Sequence, residues 1–275
     1  MSLSNSAMAA AGALAAATLL YEREQTDKQS AERFAAAALE ALLNAIDAND
    51  ADTGAHVRRV ATYSLILSDA AGLDKGAQRL CEQVALFHDI GKIHEALFDI
   101  IHEDRRLTTA ERRAMLTHPQ RGADVLEPLN GFYPELARGV LAHHERWNGS
   151  GYPKQLKGRH IPLSARIVAI ADTFDAITHH RRYSSGRSAV IALQIILDGR
   201  ATEFDPELVD LFAFPPVFAE ILAAQRSVSK WRTPVKARES GRERDDAPDI
   251  TFRWRPGRSG THERHQTDRP KRTRR

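Results

Sequence analysis

From about residue 41 to residue 223 apolar side chains recur at helical spacing, and stretches of alternating β-branched residues are few. That periodicity predicts an all-α fold, because each amphipathic helix must bury one stripe against other helices. Glycine and proline mark where the helices stop. VRRVATYSLILSDAAG reads as a helix closed by Gly72, and AQRLCEQVALFHDIGK as another ending near Gly91. In TAERRAMLTHPQRGADVL, Pro119 ends one helix at His118 and starts the next. YPELARGVLAHHERW carries Pro134 in its first turn, and IPLSARIVAIADTFDAITHH carries Pro162 at its start.

The flanks differ from this middle. AMAAAGALAAATLL, from Ala7 to Leu20, is shorter than the roughly 20 residues needed to span a bilayer. No Lys or Arg precedes it, so the charged n-region of a secretory signal is missing. It runs into YEREQTDKQSAERFAAAALEALLNAID, composed almost throughout of strong helix formers. Residues 1–40 are therefore expected to be a helical leader that packs on the domain 41–223 or pairs with a second copy in a homodimer; a weak membrane anchor is the alternative. The leader is too short for a receiver or sensory domain, so regulation is expected through it, through oligomerisation, or through a signalling partner. From Arg226 to Arg275 there are 16 Lys/Arg against 7 Asp/Glu, whereas the formal net charge of the whole chain is only +3. The basic balance thus belongs to a tail, residues 224–275, whose low hydrophobicity predicts disorder. Contact of that tail with nucleic acid or anionic lipid is the sharper reading beside a merely solvated extension. The expected location is the cytoplasm.

The single cysteine, Cys81, excludes an internal disulfide framework and a thiolate zinc site. Any metal must be held by nitrogen and oxygen donors. His56, His88, Asp89, His118, His143, His144 and Asp172 fall on five helical segments, the histidines at or near their ends. A lone His-Asp pair is more often a capping arrangement than a ligand pair. Burying so many polar groups without partners would cost about 1–3 kcal/mol each, so a cluster of cations is the economical explanation. Successive helical residues diverge by about 100°, so the adjacent His143 and His144 should serve two ions, or none.

HDIGK, HHERWNGSGYP, ARIVAIADTFDAIT and FDPELVDLF, in this order, resemble the HD-GYP family of cyclic di-GMP phosphodiesterases, a branch of the HD metal-dependent phosphohydrolase superfamily. The resemblance runs from about Leu42 to Phe212. It implies an HD-domain helical bundle with an HD-GYP extension, and two or three divalent ions, usually iron or manganese. Its ligand positions fall on His56, His88, Asp89, His118, His143, His144 and Asp172, with Asp89 bridging and His143 and His144 on different ions. Asp52, four residues before His56, stands where three-metal members carry a carboxylate; the bland reading is that it caps the helix of His56. The implied reaction is attack of a metal-bridging hydroxide on one phosphodiester of cyclic di-GMP, giving linear pGpG and, in some members, GMP. Lys92 would stabilise charge on the phosphate, and Asp50 and Asp175 match acidic positions suited to orienting ligands or moving protons. In the loop, Gly149 and Gly151 permit unusual backbone angles and Pro153 fixes the exit. Such a loop can present Tyr152 and backbone N–H groups to a nucleotide, with Trp147 packed beneath; the alternative is that Tyr152 anchors the turn. Other classes remain open: a phosphohydrolase for another cyclic dinucleotide, or a weakly catalytic module whose output is protein contact.

The chain departs from the family pattern in two places. HHRRYSS keeps Arg181 and Tyr183, which contact ligand in the family, but has His180 for an acid, Arg182 for proline and Ser184 for a second basic residue. HEALFDIIHEDRR lacks the usual Lys-Pro-Gly and reads as a lid of altered shape, with His94 and His102 on its surface. Ser184→Arg is expected to tighten substrate binding, as a lower dissociation constant; an unchanged or higher one would count against the assignment of that position.

Overall fold

The computed structural model describes residues 5–93, 108–179 and 186–228. Among them there is no strand, only an isolated bridge between Arg200 and Phe204. The helices are α1 (Asn5–Asn49), α2 (Ala51–Ala70), α3 (Lys75–Phe87), α4 (Thr109–Met115), α5 (His118–Leu126), α6 (Leu136–Ala142), α7 (Leu163–Thr178), α8 (Ala189–Asp198), α9 (Pro206–Ala213) and α10 (Pro215–Val228). Short 3-10 turns lie at Ile90–Ile93, Glu127–Leu129 and Gly158–His160. Contacts divide the chain into two units, residues 1–36 with 242–275, and residues 37–241. In the first unit the described part is the helical run 5–36; the rest of this section concerns the second. No helix among the described residues is long and apolar enough to cross a membrane.

Local chemistry sets the helix starts. Asp74 accepts from the Ala77 N–H to cap α3, Asp205 accepts from Glu207 N–H to cap α9, and Thr108 and Glu111 form a reciprocal capping box on α4. α2, α3 and α7 pack on one another, with α10 against α2 and α6 against α3. Beneath them lies an aromatic cluster. Tyr63 meets Phe174 edge-on at 5.3 Å, and Phe174 in turn meets Phe212 at 5.5 Å and Phe218 at 6.2 Å. Each such pair contributes about 0.5–1.5 kcal/mol beyond its buried area. The cluster ties α2, α7, α9 and α10 into one wall.

The opposite wall depends on a glycine. A Cβ on Gly91 would lie 2.1 Å from the His118 carbonyl oxygen and 2.6 Å from the Gly122 nitrogen, so only glycine lets the Ile90–Ile93 turn sit on the start of α5. That approach fixes His118 relative to His88 and Asp89.

Several helix limits differ from the sequence expectation. α3 ends at Phe87 rather than near Gly91, because His88 is its C-cap and the chain tightens into the 3-10 turn. α6 begins at Leu136, after Pro134, and ends at Ala142, so His143 is its C-cap and His144 lies beyond it. α10 runs to Val228, past residue 223. The tail beyond 228 and the HEALFDIIHEDRR segment lie outside the described residues. Cys81 is buried in the core, and burial pushes its thiol up to about 12. It should therefore stay inert to a disulfide reagent in the native protein and react stoichiometrically in denaturant, as titration of released thiolate would show.

Candidate metal centre

Helix ends aim the imidazoles. His88, His118 and His143 each place Nδ1 2.6–2.7 Å from the carbonyl oxygen three residues earlier, on Ala85, Met115 and Val140. These carbonyls belong to last turns, where no helical N–H reaches them. A carbonyl only accepts, so Nδ1 carries the proton in all three rings and Nε2 is a bare lone pair. His56 has its Nδ1–H fixed by a carboxylate instead, donating to Asp175 Oδ2 at 2.7 Å. Asp175 is itself held by Arg59, whose Nε and Nη2 reach its two oxygens at 2.7 and 2.9 Å, and by His179 at 2.9 Å.

These ring nitrogens converge, with carboxylate oxygens, in two trios. His118, His143 and His144 form one, and His56, His88 and Asp172 the other, each with donor atoms within 4.8 Å of one another. Asp89 stands between them. Its Oδ2 lies 3.5 Å from His88 Nε2 and 4.0 Å from His56 Nε2, whereas its Oδ1 lies 3.4 Å from His118 Nε2. In the second trio His56 Nε2 is 3.2 Å from Asp172 Oδ1. In the first, His118 Nε2 faces His143 Nε2 at 3.2 Å. Two lone pairs at that distance repel unless a cation lies between them. Four buried side-chain polar atoms lack a hydrogen-bond partner among the described residues, and two of them, His88 Nε2 and Asp89 Oδ1, are in this cluster. Nitrogen and oxygen donors without thiolate, with orphaned atoms turned inward, fit divalent metal ions.

Titration follows the same geometry. Burial drives His118 and His144 down to about 4. Burial and the neighbouring imidazoles drive His143 well below the ordinary value. Burial alone would raise the Asp89 carboxyl, but the Lys92 ammonium and the surrounding imidazoles outweigh it and hold it well below the usual carboxylate range. For His56, burial favours the neutral ring, but the hydrogen bonds and charges of Asp172 and Asp175 prevail and raise it to about 9. Lys92 Nζ sits 2.7 Å from Asp89 Oδ2.

Beyond His144 the chain folds back on itself. A Cβ on Gly151 would lie 2.3 Å from Arg146 N and 2.5 Å from Glu145 Cα, so the loop presses directly on the histidine-bearing segment. The Tyr152 N–H donates to the His144 carbonyl at 3.2 Å, and the N–H groups of Lys154 and Leu156 donate to the buried Glu145 carboxylate at 2.6 and 3.0 Å. The Tyr152 ring stacks on His144.

The HD-domain family model matches residues 40–208, more than half of the chain. This chain belongs to the HD-domain family. Among its relatives, the 3'3'-cGAMP-specific phosphodiesterase 2 of Vibrio cholerae is 36% identical over 62% of this chain and 33% of its own length. The cyclic di-GMP phosphodiesterase response regulator RpfG of Xanthomonas campestris is 36% identical over 72% and 52% respectively. A probable cyclic di-GMP phosphodiesterase of Vibrio cholerae is 37% identical over 66% and 44%. The chain thus spans between a third and about half of the length of these relatives.

Within this HD-domain site the seven residues His56, His88, Asp89, His118, His143, His144 and Asp172 come together. The expectation that His143 and His144 point to different ions assumed a helix. The helix ends at Ala142, and the two rings lie 4.1 Å apart by centroid in a turn, with His118 near both. Asp50 is the N-cap of α2, accepting from the Asp52 N–H at 3.2 Å and from the Thr53 hydroxyl at 2.7 Å, and so is occupied as a cap. Asp52 lies exposed in the first turn of α2 and in neither trio. The loop N–H groups expected to face a nucleotide are used internally: those of Gly149, Ser150, Tyr152, Lys154 and Leu156 all have intrachain acceptors. Gly151 is buried, Pro153 is exposed, and Trp147 is half-buried beside Gly158 and the Arg166 guanidinium. Arg181, Tyr183 and Ser184 lie outside the described residues.

Two residues escaped the sequence reading. Arg59 is one of two adjacent arginines in VRRV, and Glu145 sits inside HHERW; nothing in the pattern sets either apart from a solvated charge. Asp175→Asn should weaken Mn²⁺ binding about 10- to 100-fold by calorimetry, the range for partners that orient a ligating histidine. Asp50→Asn, which keeps a good N-cap, should leave it unchanged.

Proposed function

We propose that this chain is a metal-dependent phosphodiesterase of the HD-GYP branch that hydrolyses cyclic di-GMP to linear pGpG. The observation that carries the hydrolytic reading is the pair of trios flanking Asp89, whose two oxygens face one trio each. The substrate reading is supported by relatives named as cyclic di-GMP phosphodiesterases at 36–37% identity. Iron or manganese suits the donor set, and two ions suit two trios, since Asp52 lies outside both. When bound, such ions lower the pKa of a water and neutralise charge on a phosphoryl group.

The protein's own groups do the rest. His118, His143 and His144 would hold one ion and His56, His88 and Asp172 the other, with Asp89 shared. Asp175 and Arg59 fix the His56 Nδ1–H and so its ring orientation, leaving Nε2 as the atom that would lose its proton to an incoming ion. Lys92, held beside Asp89, supplies a positive charge to a bound phosphate. Arg181 and Tyr183 complete the substrate contacts in this reading. The reaction belongs in the cytoplasm, and pairing of N-terminal helices in a homodimer is supported by Tyr21 and Phe34, two large side chains exposed on α1.

The test is to reconstitute the chain with Mn²⁺ or Fe²⁺ and incubate it with cyclic di-GMP, 3'3'-cGAMP and cyclic di-AMP, resolving products by chromatography. Cyclic di-GMP should be consumed with the highest kcat/KM. Preference for 3'3'-cGAMP would move the substrate to the mixed dinucleotide, a choice with a named relative behind it, and turnover of none would leave a binding module. Asp89→Ala should cut kcat by more than about 100-fold, beyond the range for outer partners, while helical content is unchanged.

A further inference from the structure

Four of the five clustered imidazoles have Nδ1 fixed by an acceptor: a backbone carbonyl for His88, His118 and His143, a carboxylate for His56. His144 has no hydrogen bond on either ring nitrogen among the described residues. It lies past the end of α6, where no helical turn restrains its χ angles. Rings contact it instead: its fellow trio members His143 and His118, at 4.1 and 5.0 Å between centroids, and one ring from outside the trio. Tyr152 stacks on it with centroids 4.9 Å apart and planes 24° from parallel.

We propose that Tyr152 is a positioning residue for the three-histidine trio: its ring, by stacking, performs for His144 the orienting task that hydrogen bonds perform for the other imidazoles. This rests on the metal-binding reading of the site and goes beyond it by giving the tyrosine of the GYP segment a task toward the metal rather than toward the nucleotide.

The loop is built to hold that ring still. Gly151 lets the chain lie against the backbone of His144, Glu145 and Arg146, closer than any side chain would allow. The Tyr152 N–H is bonded to the carbonyl of the very histidine its ring covers. Glu145, next in sequence to His144 and buried, anchors both Lys154 and Leu156 through its carboxylate. Ring and imidazole are thus fixed from two sides of one short covalent path. An exposed tyrosine recruited only to touch ligand would need neither the close glycine approach nor the buried carboxylate. The Tyr152 hydroxyl is not needed for the orienting task, which makes the proposal separable from a substrate contact.

The experiment is calorimetric titration of this metal-free 275-residue chain with Mn²⁺ under anaerobic conditions, without nucleotide, for wild type, Tyr152→Phe, Tyr152→Leu and Glu145→Gln. Circular dichroism establishes equal folding. Wild type and Tyr152→Phe should show the same two binding steps. Tyr152→Leu should retain one step and weaken the other about 10- to 100-fold, and Glu145→Gln should weaken the same step. Wild-type Mn²⁺ binding by Tyr152→Leu, with a raised KM for cyclic dinucleotide, would overturn the proposal and make Tyr152 a substrate contact. Equal loss in Tyr152→Phe and Tyr152→Leu would also overturn it, by assigning the effect to the hydroxyl. Absence of Mn²⁺ binding by wild type would overturn the metal-site reading itself, an outcome distinct from both.

Discussion

The donation of an imidazole Nδ1–H to the carbonyl of a helix's last turn organises this site. It satisfies a carbonyl that the helix leaves unpaired and fixes the tautomer. It also turns a bare Nε2 into the space between helices. Repeated at His88, His118 and His143, it makes three helix ends converge on one point. The bundle must therefore be held to tolerances set by the cluster, and the close contact of Gly91 with α5 and the aromatic wall of Tyr63, Phe174 and Phe212 are the means.

The electrostatic consequence is a site that is unfavourable by itself. His118 and His143 face each other lone pair to lone pair, burial keeps both from taking a proton, and Asp89 has a buried oxygen with no donor. Removing an isolated polar atom from water costs about 1–3 kcal/mol, and several are gathered here. The hydrophobic core bears that cost. Strain of this kind is how a protein preorganises a strong cation site without reorganising when the ion arrives. His56 differs, because Asp172 and Asp175 flank it and hold the charged ring in their field. The two trios are thus chemically unequal, one of neutral imidazoles and one with a carboxylate member.

Much of this was legible in the residues. Periodicity and proline placement called for helices only, and among the described residues only helices occur. The composition of the cluster could be read from histidines at helix ends, and the HD-domain match, residues 40–208, covers all but the last four residues of the span the motifs marked out. Helix limits were less legible. A sequence pattern continues smoothly through AHHERW, yet α6 ends at Ala142, because His143 uses its own ring to cap the turn. The angular argument for His143 and His144 took both to be helical, and the helix stops one residue before His143. Asp50 and Asp52 were indistinguishable by type, and only the backbone geometry at the start of α2 makes Asp50 the cap.

By itself the sequence determined the helical class and the lack of a disulfide framework, since these follow from residue type and spacing, and the HD-GYP resemblance marked the seven clustered residues. Tertiary structure decided which donors share a trio, because that depends on where each helix stops and how near its neighbours approach. It also decided the roles of Arg59, Glu145 and Gly151. Their tasks are contacts across 116 residues of chain for Arg59 and Asp175, or within a folded loop for Glu145 and Gly151. Local pattern carries no trace of contacts of either kind.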